Sequence, residues 1–208
     1  MSVHDLATLR RAFTALAPIP EDEWSFLCAR VELCEVERGA ALLREGEAVH
    51  WLGFLTRGLV RMFRTLDGRE VTLGFDCEER FVGAYDAYRT RTPARYGLEA
   101  LEASTLVRFE RALLDELDAR HAAWREFVRR VAEHELVRKM DKELRIRTRS
   151  AEERYAELVR TNSYLVRRVP QYHLASYLGI APETLSRIRA RMGAGSGPGS
   201  SSVSAPRS

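Results

Sequence analysis

The most informative alternation of apolar and polar positions lies in residues 171–189. Leu174 and Leu178 are four residues apart and therefore share one face of a first predicted helix. Gly179 follows, and glycine at this position can take a positive φ angle without a Cβ clash. Pro182 then suits the first position of a second helix, where its missing N–H costs nothing. The pattern predicts two short helices joined by a tight turn.

The second of these helices is amphipathic. Leu185 and Ile188 share one face, whereas Glu183, Ser186 and Arg187 share the opposite face at spacing i, i+3, i+4. A carboxylate can accept a hydrogen bond from cytosine N4, a guanidinium can bind guanine O6 and N7, and a hydroxyl can serve either base. The outward triplet is a candidate for base contacts in duplex DNA. An ordinary helical hairpin with a solvated Glu–Arg pair has the same pattern.

A different periodicity dominates residues 31–110. Short runs of valine, leucine and phenylalanine alternate there with glycine turns, which is typical of an antiparallel sandwich or barrel. Asp67 and Gly68 lie between two such runs and predict a tight hairpin. An eight-stranded double-stranded β-helix, or jelly roll, fits the spacing. Residues 1–30 predict one or two short N-terminal helices, so the predicted fold class is α+β.

Residues 111–149 contain no glycine or proline and predict one almost unbroken helix. An apolar stripe runs along an otherwise charged sequence and consists of Trp124, Val128, Val131, Leu136, Met140 and Leu144. Packing on the β-roll is one explanation. We favour a parallel homodimer, because Arg129, Arg130, Glu133 and Glu135 flank the stripe and can pair across it.

The C-terminal part begins with a helix-start signal. Ser150, with Glu153 three residues later, predicts a capping box at the first helix of a helical domain in residues 150–192. Glycine, serine and proline dominate residues 193–208, and such a composition cannot bury enough apolar surface to fold. We expect a disordered tail in this segment.

Charge is divided unevenly along the chain, whose net charge is +3. Residues 1–110 hold 14 basic and 18 acidic side chains, whereas residues 111–208 hold 19 and 12. The basic half carries the predicted helix pair, as attraction to phosphate requires, although solvated helices are often basic too. No apolar run could span a bilayer and no signal-peptide core is present, so we expect a cytoplasmic protein without a membrane partner.

Catalysis and metal binding find little support in the sequence. Cys28, Cys34 and Cys77 are odd in number and lack metal-ligand spacing, and the predicted roll contains only His50. No Ser/His/Asp set, nucleotide-binding P-loop or G-x-G-x-x-G dinucleotide motif occurs. We therefore expect a protein that is not an enzyme and has no resident cofactor.

The stretch ASYLGIAPETLSRIR (residues 175–189) resembles the DNA-reading motif of the Crp/Fnr family of bacterial transcription regulators. Its E-T-L-S-R segment is similar to the E-x-x-S-R sequence of the Fnr-like branch. The segments L-x-x-E-G-E (42–47) and T-R-G-L-V-R (56–61) resemble turns of the family's cyclic-nucleotide-binding β-roll. The resemblance implies a homodimeric regulator with double-stranded DNA and RNA polymerase as partners and a palindromic TTGA-like site.

Within this resemblance, Glu183, Ser186 and Arg187 take the base contacts. The side chains placed at phosphates are Arg168, Gln171, Thr184 and Arg189. The two-stranded wing that usually follows the reading helix has no counterpart in this sequence, and neither do the N-terminal cysteines of the oxygen-sensing members. A ligand-binding or protein-interaction module whose helix pair does not bind DNA is the alternative.

Residues 80–101 match the family's phosphate-binding loop only in part. Gly83 and Arg95 agree with it, whereas Ala84 replaces the ribose-binding glutamate and Tyr96 replaces a serine. Loss of these polar contacts predicts that cyclic AMP no longer acts as effector. The identity of any effector is open. Two interpretations of this segment are open: it forms a pocket for an anionic or aromatic effector, or it forms the solvated rim of a long loop. The residues concerned include Gly83, Tyr85, Arg89, Arg95 and Tyr96.

Overall fold

Two four-stranded antiparallel sheets form the N-terminal part of the chain in a computed structural model, which describes residues 3–194. The sheets have the strand orders β1-β8-β3-β6 and β2-β7-β4-β5, so that consecutive strands alternate between them except for the β4–β5 hairpin. This arrangement confirms the predicted β-sandwich. The strands are β1 (Glu32–Val36), β2 (Ala41–Leu43), β3 (Trp51–Arg57), β4 (Leu59–Leu66), β5 (Arg69–Cys77), β6 (Arg80–Val82), β7 (Gly97–Ala100) and β8 (Ser104–Glu110).

Helices precede, interrupt and follow the sheets. The described residues divide into two compact units, one that ends at Arg149 and one that begins at Ser150, and the second is entirely helical. The predicted C-terminal helical region is therefore confirmed. The helices are α1 (Val3–Leu16), α2 (Glu21–Cys28), α3 (Tyr85–Thr90), α4 (Arg111–Arg120), α5 (Ala122–Thr148), α6 (Ala151–Thr161), α7 (Ser163–Arg168), α8 (Gln171–Leu178) and α9 (Pro182–Ala194).

An aromatic cluster joins α1, α5 and one sheet of the first unit. Phe13 of α1 stacks on Phe127 of α5 with ring centroids 4.2 Å apart, and Phe54 of β3 meets Phe13 edge-on at 6.2 Å. Trp124 packs into the same cluster with an exposure of 2%. Aromatic rings in such geometries add to the free energy of area burial. The N-terminal half of α5 is therefore held on the β-roll.

The β4–β5 hairpin follows its sequence signal. Leu66 pairs with Arg69 around a two-residue turn in which Asp67 has φ 49° and Gly68 has φ 74°. Positive φ at both turn positions matches the right-handed twist of the flanking strands. The predicted hairpin is confirmed.

The predicted helix of residues 111–149 is wrong in one respect, because His121 divides it into α4 and α5. This residue is extended (φ −145°, ψ 142°), and its Nδ1 accepts a hydrogen bond from the backbone N–H of Ala123 at 3.0 Å. Glu23 contacts both sides of the break, accepting from Arg120 Nε and Trp124 Nε1 at 2.8 Å each. A histidine N-cap carries no glycine or proline signal, so the break was not predicted.

The apolar stripe predicted on α5 divides into two faces. The step from Val131 to Leu136 is five residues, which rotates the position by roughly 140° around the helix axis. Val128 and Val131 pack against the aromatic cluster, whereas Leu136 and Met140 are 59% and 62% exposed. The inclusion of Trp124 in a dimer interface needs correction, because this side chain has almost no free surface.

Two further apolar residues extend the exposed face of α5. Val137 and Leu144 are 59% and 61% exposed and lie beside Leu136 and Met140 on the helix. We call these four residues the outer face of α5. The flanking charges predicted to pair between copies are paired within the helix in a single copy, in the pairs Arg129–Glu126, Arg129–Glu133, Arg130–Glu126 and Arg138–Glu135.

The second unit begins as predicted. Ser150 Oγ accepts from the backbone N–H of Glu153 at 3.2 Å, and Glu153 Oε2 accepts from the backbone N–H of Ser150 at 2.7 Å. This reciprocal pair is the predicted capping box. At the other end, α9 continues to Ala194, two residues into the predicted tail. Residues 195–208 of that tail lie outside the described residues.

Candidate nucleic-acid interface and sensor lumen

The turn between α8 and α9 is built around one glycine. Gly179 adopts φ 68° and ψ 33°, and the backbone N–H of Ile180 donates to the carbonyl of Ala175 at 3.0 Å. Left-handed geometry of this kind ends a helix and satisfies its last carbonyls. Pro182 begins α9 three residues later. The local pattern therefore gives the two-helix arrangement that the sequence predicted.

A small core fixes the orientation of α9. Leu174 of α8 and Leu185 of α9 are fully buried, and Ile188 is 3% exposed. A hydrogen bond also joins α6 to the end of α8, because Arg154 Nη2 donates to the carbonyl of Leu178 at 2.8 Å. The role of Arg154 was missed, since its partner lies 24 residues away and no local pattern marks the pair.

The outward face of α9 carries the predicted base-contacting triplet. Glu183, Ser186 and Arg187 are all exposed on the side away from Leu185 and Ile188. Within residues 3–194 no ion pair engages the side chains of Glu183 or Arg187. A carboxylate, a hydroxyl and a guanidinium are thus presented together to solvent by one rigid element.

The four predicted phosphate contacts differ in their surroundings. Thr184 and Arg189 are exposed on α9, and Arg168 is half-buried with its guanidinium 5.2 Å from the ring centre of Tyr164. Gln171 Nε2 donates to the carbonyl of Pro182 at 3.4 Å, which links the first residue of α8 to the first residue of α9. Gln171 therefore also positions the start of α9.

The other predicted site involves α3 and the residues just before β7. We use the term sensor lumen for the group formed by Asp76, Asp86, Arg95 and Tyr96. Arg95 donates to Asp86 Oδ2 through Nη2 at 2.6 Å and through Nε at 3.1 Å. Tyr96 Oη donates to Asp86 Oδ1 at 3.3 Å and lies 3.5 Å from the carbonyl oxygen of Gly83. The structure thus brings Arg95 and Tyr96 together on one carboxylate that the sequence had not singled out, and the Gly83 carbonyl lies beside the Tyr96 hydroxyl.

The pKa values of this group reflect the contact. Partial burial opposes ionisation of Asp86, but hydrogen bonds from Arg95, the Ala87 backbone and Tyr96 outweigh it and hold its pKa below the ordinary value. Burial, followed by the charge of Asp86 and that of Asp76, raises the pKa of Tyr96 far above its ordinary value. Asp86 is therefore an ionised acceptor, and Tyr96 is a neutral donor.

Two other predicted effector residues lie apart from this group. Tyr85 is 37% exposed and Arg89 is exposed on α3, and within residues 3–194 neither forms a hydrogen bond or ion pair with the carboxylate of Asp86. Gly83 has a packing role of its own, since its φ is 146° and an added Cβ would lie 2.8 Å from Leu52 Cδ2.

Charged groups of α5 contact strand β5. Arg138 Nη1 lies 3.5 Å from Asp76 Oδ1, and Lys142 Nζ donates to the carbonyl oxygen of Leu73. Burial raises the pKa of Asp76 despite the attraction of Arg138. Burial, followed by the charge of Arg138, lowers the pKa of Lys142. Asp76 is thus withdrawn from water, whereas the Arg138 side chain is 43% exposed.

The described residues also limit the chemistry of the chain. Within residues 3–194, no group of three or more histidine, cysteine, aspartate or glutamate residues could hold a metal ion, and Cys28, Cys34 and Cys77 are free thiols. In the same part of the chain, no helix combines the length and hydrophobicity that crossing a bilayer requires.

Residues 33–121 match the family model described as the cyclic nucleotide-binding domain. No curated protein matches the chain significantly. Among solved structures, one described as a transcriptional regulator of the Crp/Fnr family from Eubacterium rectale has a TM-score of 0.68 and 14% identity, with 85% of each chain covered. FixK2 from Bradyrhizobium japonicum has a TM-score of 0.66 and 19% identity, covering 79% of this chain and 85% of that one.

A third similar structure is CLP from Xanthomonas campestris, described as a regulator responsive to c-di-GMP, with a TM-score of 0.65, 18% identity and coverage of 85% and 93%. At these identities the likeness is one of fold. The β-roll matches the model of the cyclic nucleotide-binding domain. With a long helix and a C-terminal helical unit after the roll, the chain is similar in fold to the Crp/Fnr-family regulator from Eubacterium rectale and to FixK2.

Proposed function

We propose that this chain is a homodimeric, DNA-binding transcription regulator of the Crp/Fnr type that reads a palindromic TTGA-like site and does not respond to cyclic AMP. In this proposal, residues 1–30 are N-terminal helices and residues 31–110 are the sensor. Residues 111–149 contain the dimerisation helix, and residues 150–192 bind DNA. RNA polymerase is a further partner that the family resemblance implies, and the existence of a small-molecule effector is left open.

The observation that carries this proposal is the orientation of α9. Burial of Leu185 and Ile188 leaves Glu183, Ser186 and Arg187 on the free face of a helix that follows a tight turn. An α-helix fits the major groove of B-DNA, where Arg reads guanine and Glu accepts from cytosine. The combination supports direct reading of a TGA core, with Arg187 at guanine.

Phosphate contacts would supply the sequence-independent part of the affinity. Thr184 and Arg189 are exposed on the reading helix itself, and Arg168 lies at the end of α7, just before α8. Gln171 would serve both a phosphate and the α9 start to which it is bonded. Such contacts make the affinity fall steeply with salt concentration.

A palindromic site requires two copies of the reading helix, and α5 offers the surface that supports a homodimer. Leu136, Val137, Met140 and Leu144 are each at least 59% exposed on a helix whose other exposed positions are mostly charged. A parallel second copy would remove this outer face from water, and the charged residues beside it would stay solvated.

Loss of cyclic AMP response follows from the sensor lumen. A phosphate approaching Arg95 would meet the carboxylate of Asp86 already bonded to the guanidinium. Because Arg95 is 74% exposed, this ion pair is weak, but like-charge repulsion from Asp86 opposes the phosphate as well. Ala84 has no polar side chain for the ribose hydroxyl. These features support weak or absent binding of cyclic nucleotides.

The DNA-binding proposal is tested by fluorescence anisotropy on the purified full chain. The probe is a duplex with two inverted TTGA half-sites, and the control is a scrambled duplex of the same composition at the same salt concentration. We expect the palindrome to bind at least about 1,000-fold more tightly, the lower end of ordinary site specificity. Equal affinity for both duplexes would refute sequence-specific reading.

Calorimetric titration with cyclic AMP and cyclic GMP tests the sensor separately. We expect no binding with a Kd below about 10 μM. Tighter binding of either nucleotide would contradict the role given to Asp86 and leave the DNA-binding proposal untouched.

A further inference from the structure

Asp76 and Gly74 face the interior of the β-roll. Across the β4–β5 ladder, Asp76 pairs with Val60 and Gly74 pairs with Met62. Directly opposite residues of an antiparallel pair point to the same face. Val60 is fully buried in the roll's core, and Met62 packs against that core. The inner wall of the roll thus contains a carboxylate next to a position without a side chain.

Two cations from one face of α5 meet this inner wall. Arg138 and Lys142 are four residues apart and therefore lie on the same side of the helix. Arg138 contacts the Asp76 carboxylate, Lys142 donates to the Leu73 carbonyl, and a Cβ added at Gly74 would be 3.8 Å from Lys142 Nζ. The ammonium therefore lies at van der Waals distance from the point where a side chain at Gly74 would begin.

This contact belongs to the same region as the Asp86–Arg95 pair. The charge of Asp76 contributes to the raised pKa of Tyr96, which itself donates to Asp86. Arg95 and Tyr96 thus donate to the Asp86 carboxylate, and Arg138 contacts that of Asp76.

The energetics favour a positioning role over a stabilising one. Asp76 is 5% exposed, and its burial outweighs the attraction of Arg138 in setting its pKa. Lys142 is also partly withdrawn from water. Desolvation of such pairs commonly cancels their mutual attraction, while their geometry still restricts the relative position of the elements that carry them. The expected consequence is a fixed helix position at little net gain in global stability.

We propose that Asp76, Arg138, Lys142 and the Leu73 carbonyl form a built-in clamp that holds α5 against β5 without an effector. The clamp adds a means of regulation to the proposed function. It rests on that function in one respect, namely that α5 is the dimerisation helix. It makes the position of that helix a property of the chain itself, so the protein is set in one sensor state whether or not a small molecule is present.

Hydrogen–deuterium exchange of the full-length protein, read by mass spectrometry, tests the clamp. The variants are Lys142→Met and Asp76→Asn, which open the contact from its two sides. Lys139→Met is the matched control, because it removes the same charge from an exposed position of α5. Peptides from β5 and from residues 135–145 should exchange about tenfold faster in both clamp variants, a local opening below global unfolding. The control should match the wild type.

The outcomes separate the clamp from its alternatives. Unchanged exchange in both variants would overturn the proposal. Loss of a cooperative melting transition in both variants would overturn it too, because the contact would then belong to the folding core. Failure of the DNA-binding experiment would leave these exchange results as they are, so the clamp and the proposed function can fail separately.

Discussion

Substitution of Leu136 by alanine should weaken the proposed dimer without affecting the fold of a single copy. Leu136 is 59% exposed on the outer face of α5. This leaves roughly 100 Å² for an interface to cover, or about 2.5 kcal/mol per copy at 25 cal/mol per Å². Alanine retains about a third of that surface, so the dimer loses about 3 kcal/mol when both copies are counted. The dimer Kd should rise by about two orders of magnitude.

Sedimentation equilibrium over a concentration series measures this change. Ile146→Ala is the matched control, since Ile146 is 51% exposed on the same helix but lies roughly 130° around the helix axis from the centre of the outer face. The control should dissociate like the wild type, and the thermal midpoint at low concentration should be the same for both variants and the wild type. A Kd for Leu136→Ala within threefold of the wild-type value would refute the assignment of the outer face as the interface.

Three further predictions concern the reading helix, the roll and the sensor lumen. Arg187→Ala should cost about 1–3 kcal/mol on the palindrome and relax selectivity at guanine, whereas Arg168→Ala should weaken all duplexes alike, as anisotropy with base-substituted probes would show. Arg61 is 1% exposed and paired with Glu70 and Glu99. The substitution Arg61→Ala should therefore lower the free energy of unfolding, measured in urea, by about 3 kcal/mol. A loss below about 1 kcal/mol would count against the buried pairing. The folded pKa of Asp86 lies below 3.8, so its stabilising contribution is present above that pH and disappears as the pH falls further. Asp86→Asn should therefore flatten the acid-induced drop in melting temperature, and an unchanged pH profile would contradict this.

The sequence correctly predicted those elements whose structure is determined by a few adjacent residues. The Asp67–Gly68 hairpin, the Ser150–Glu153 cap and the Gly179 turn each depend on the backbone preferences of a few adjacent residues. Such preferences act over short distances and can be read directly. The fold around the α9 helix was therefore largely predictable.

Contacts between distant segments were not predictable in the same way. The step of five residues before Leu136 hides a change of helix face, which is why Trp124 was assigned to the wrong surface. The bond from Lys142 to Leu73 joins residues 69 positions apart and depends on how α5 lies along β5. Asp86 was overlooked because its role appears only when Arg95 is brought beside it.

Selection from a random duplex library by the purified full-length protein tests the central claim most directly. Several rounds of binding and sequencing should enrich inverted repeats with a TGA core in each half, centred about one helical turn apart. Such enrichment should disappear when Glu183, Ser186 and Arg187 are replaced together by alanine. A library that stays random, or that yields only single unrepeated sites, would contradict the account of two α9 helices reading a palindrome.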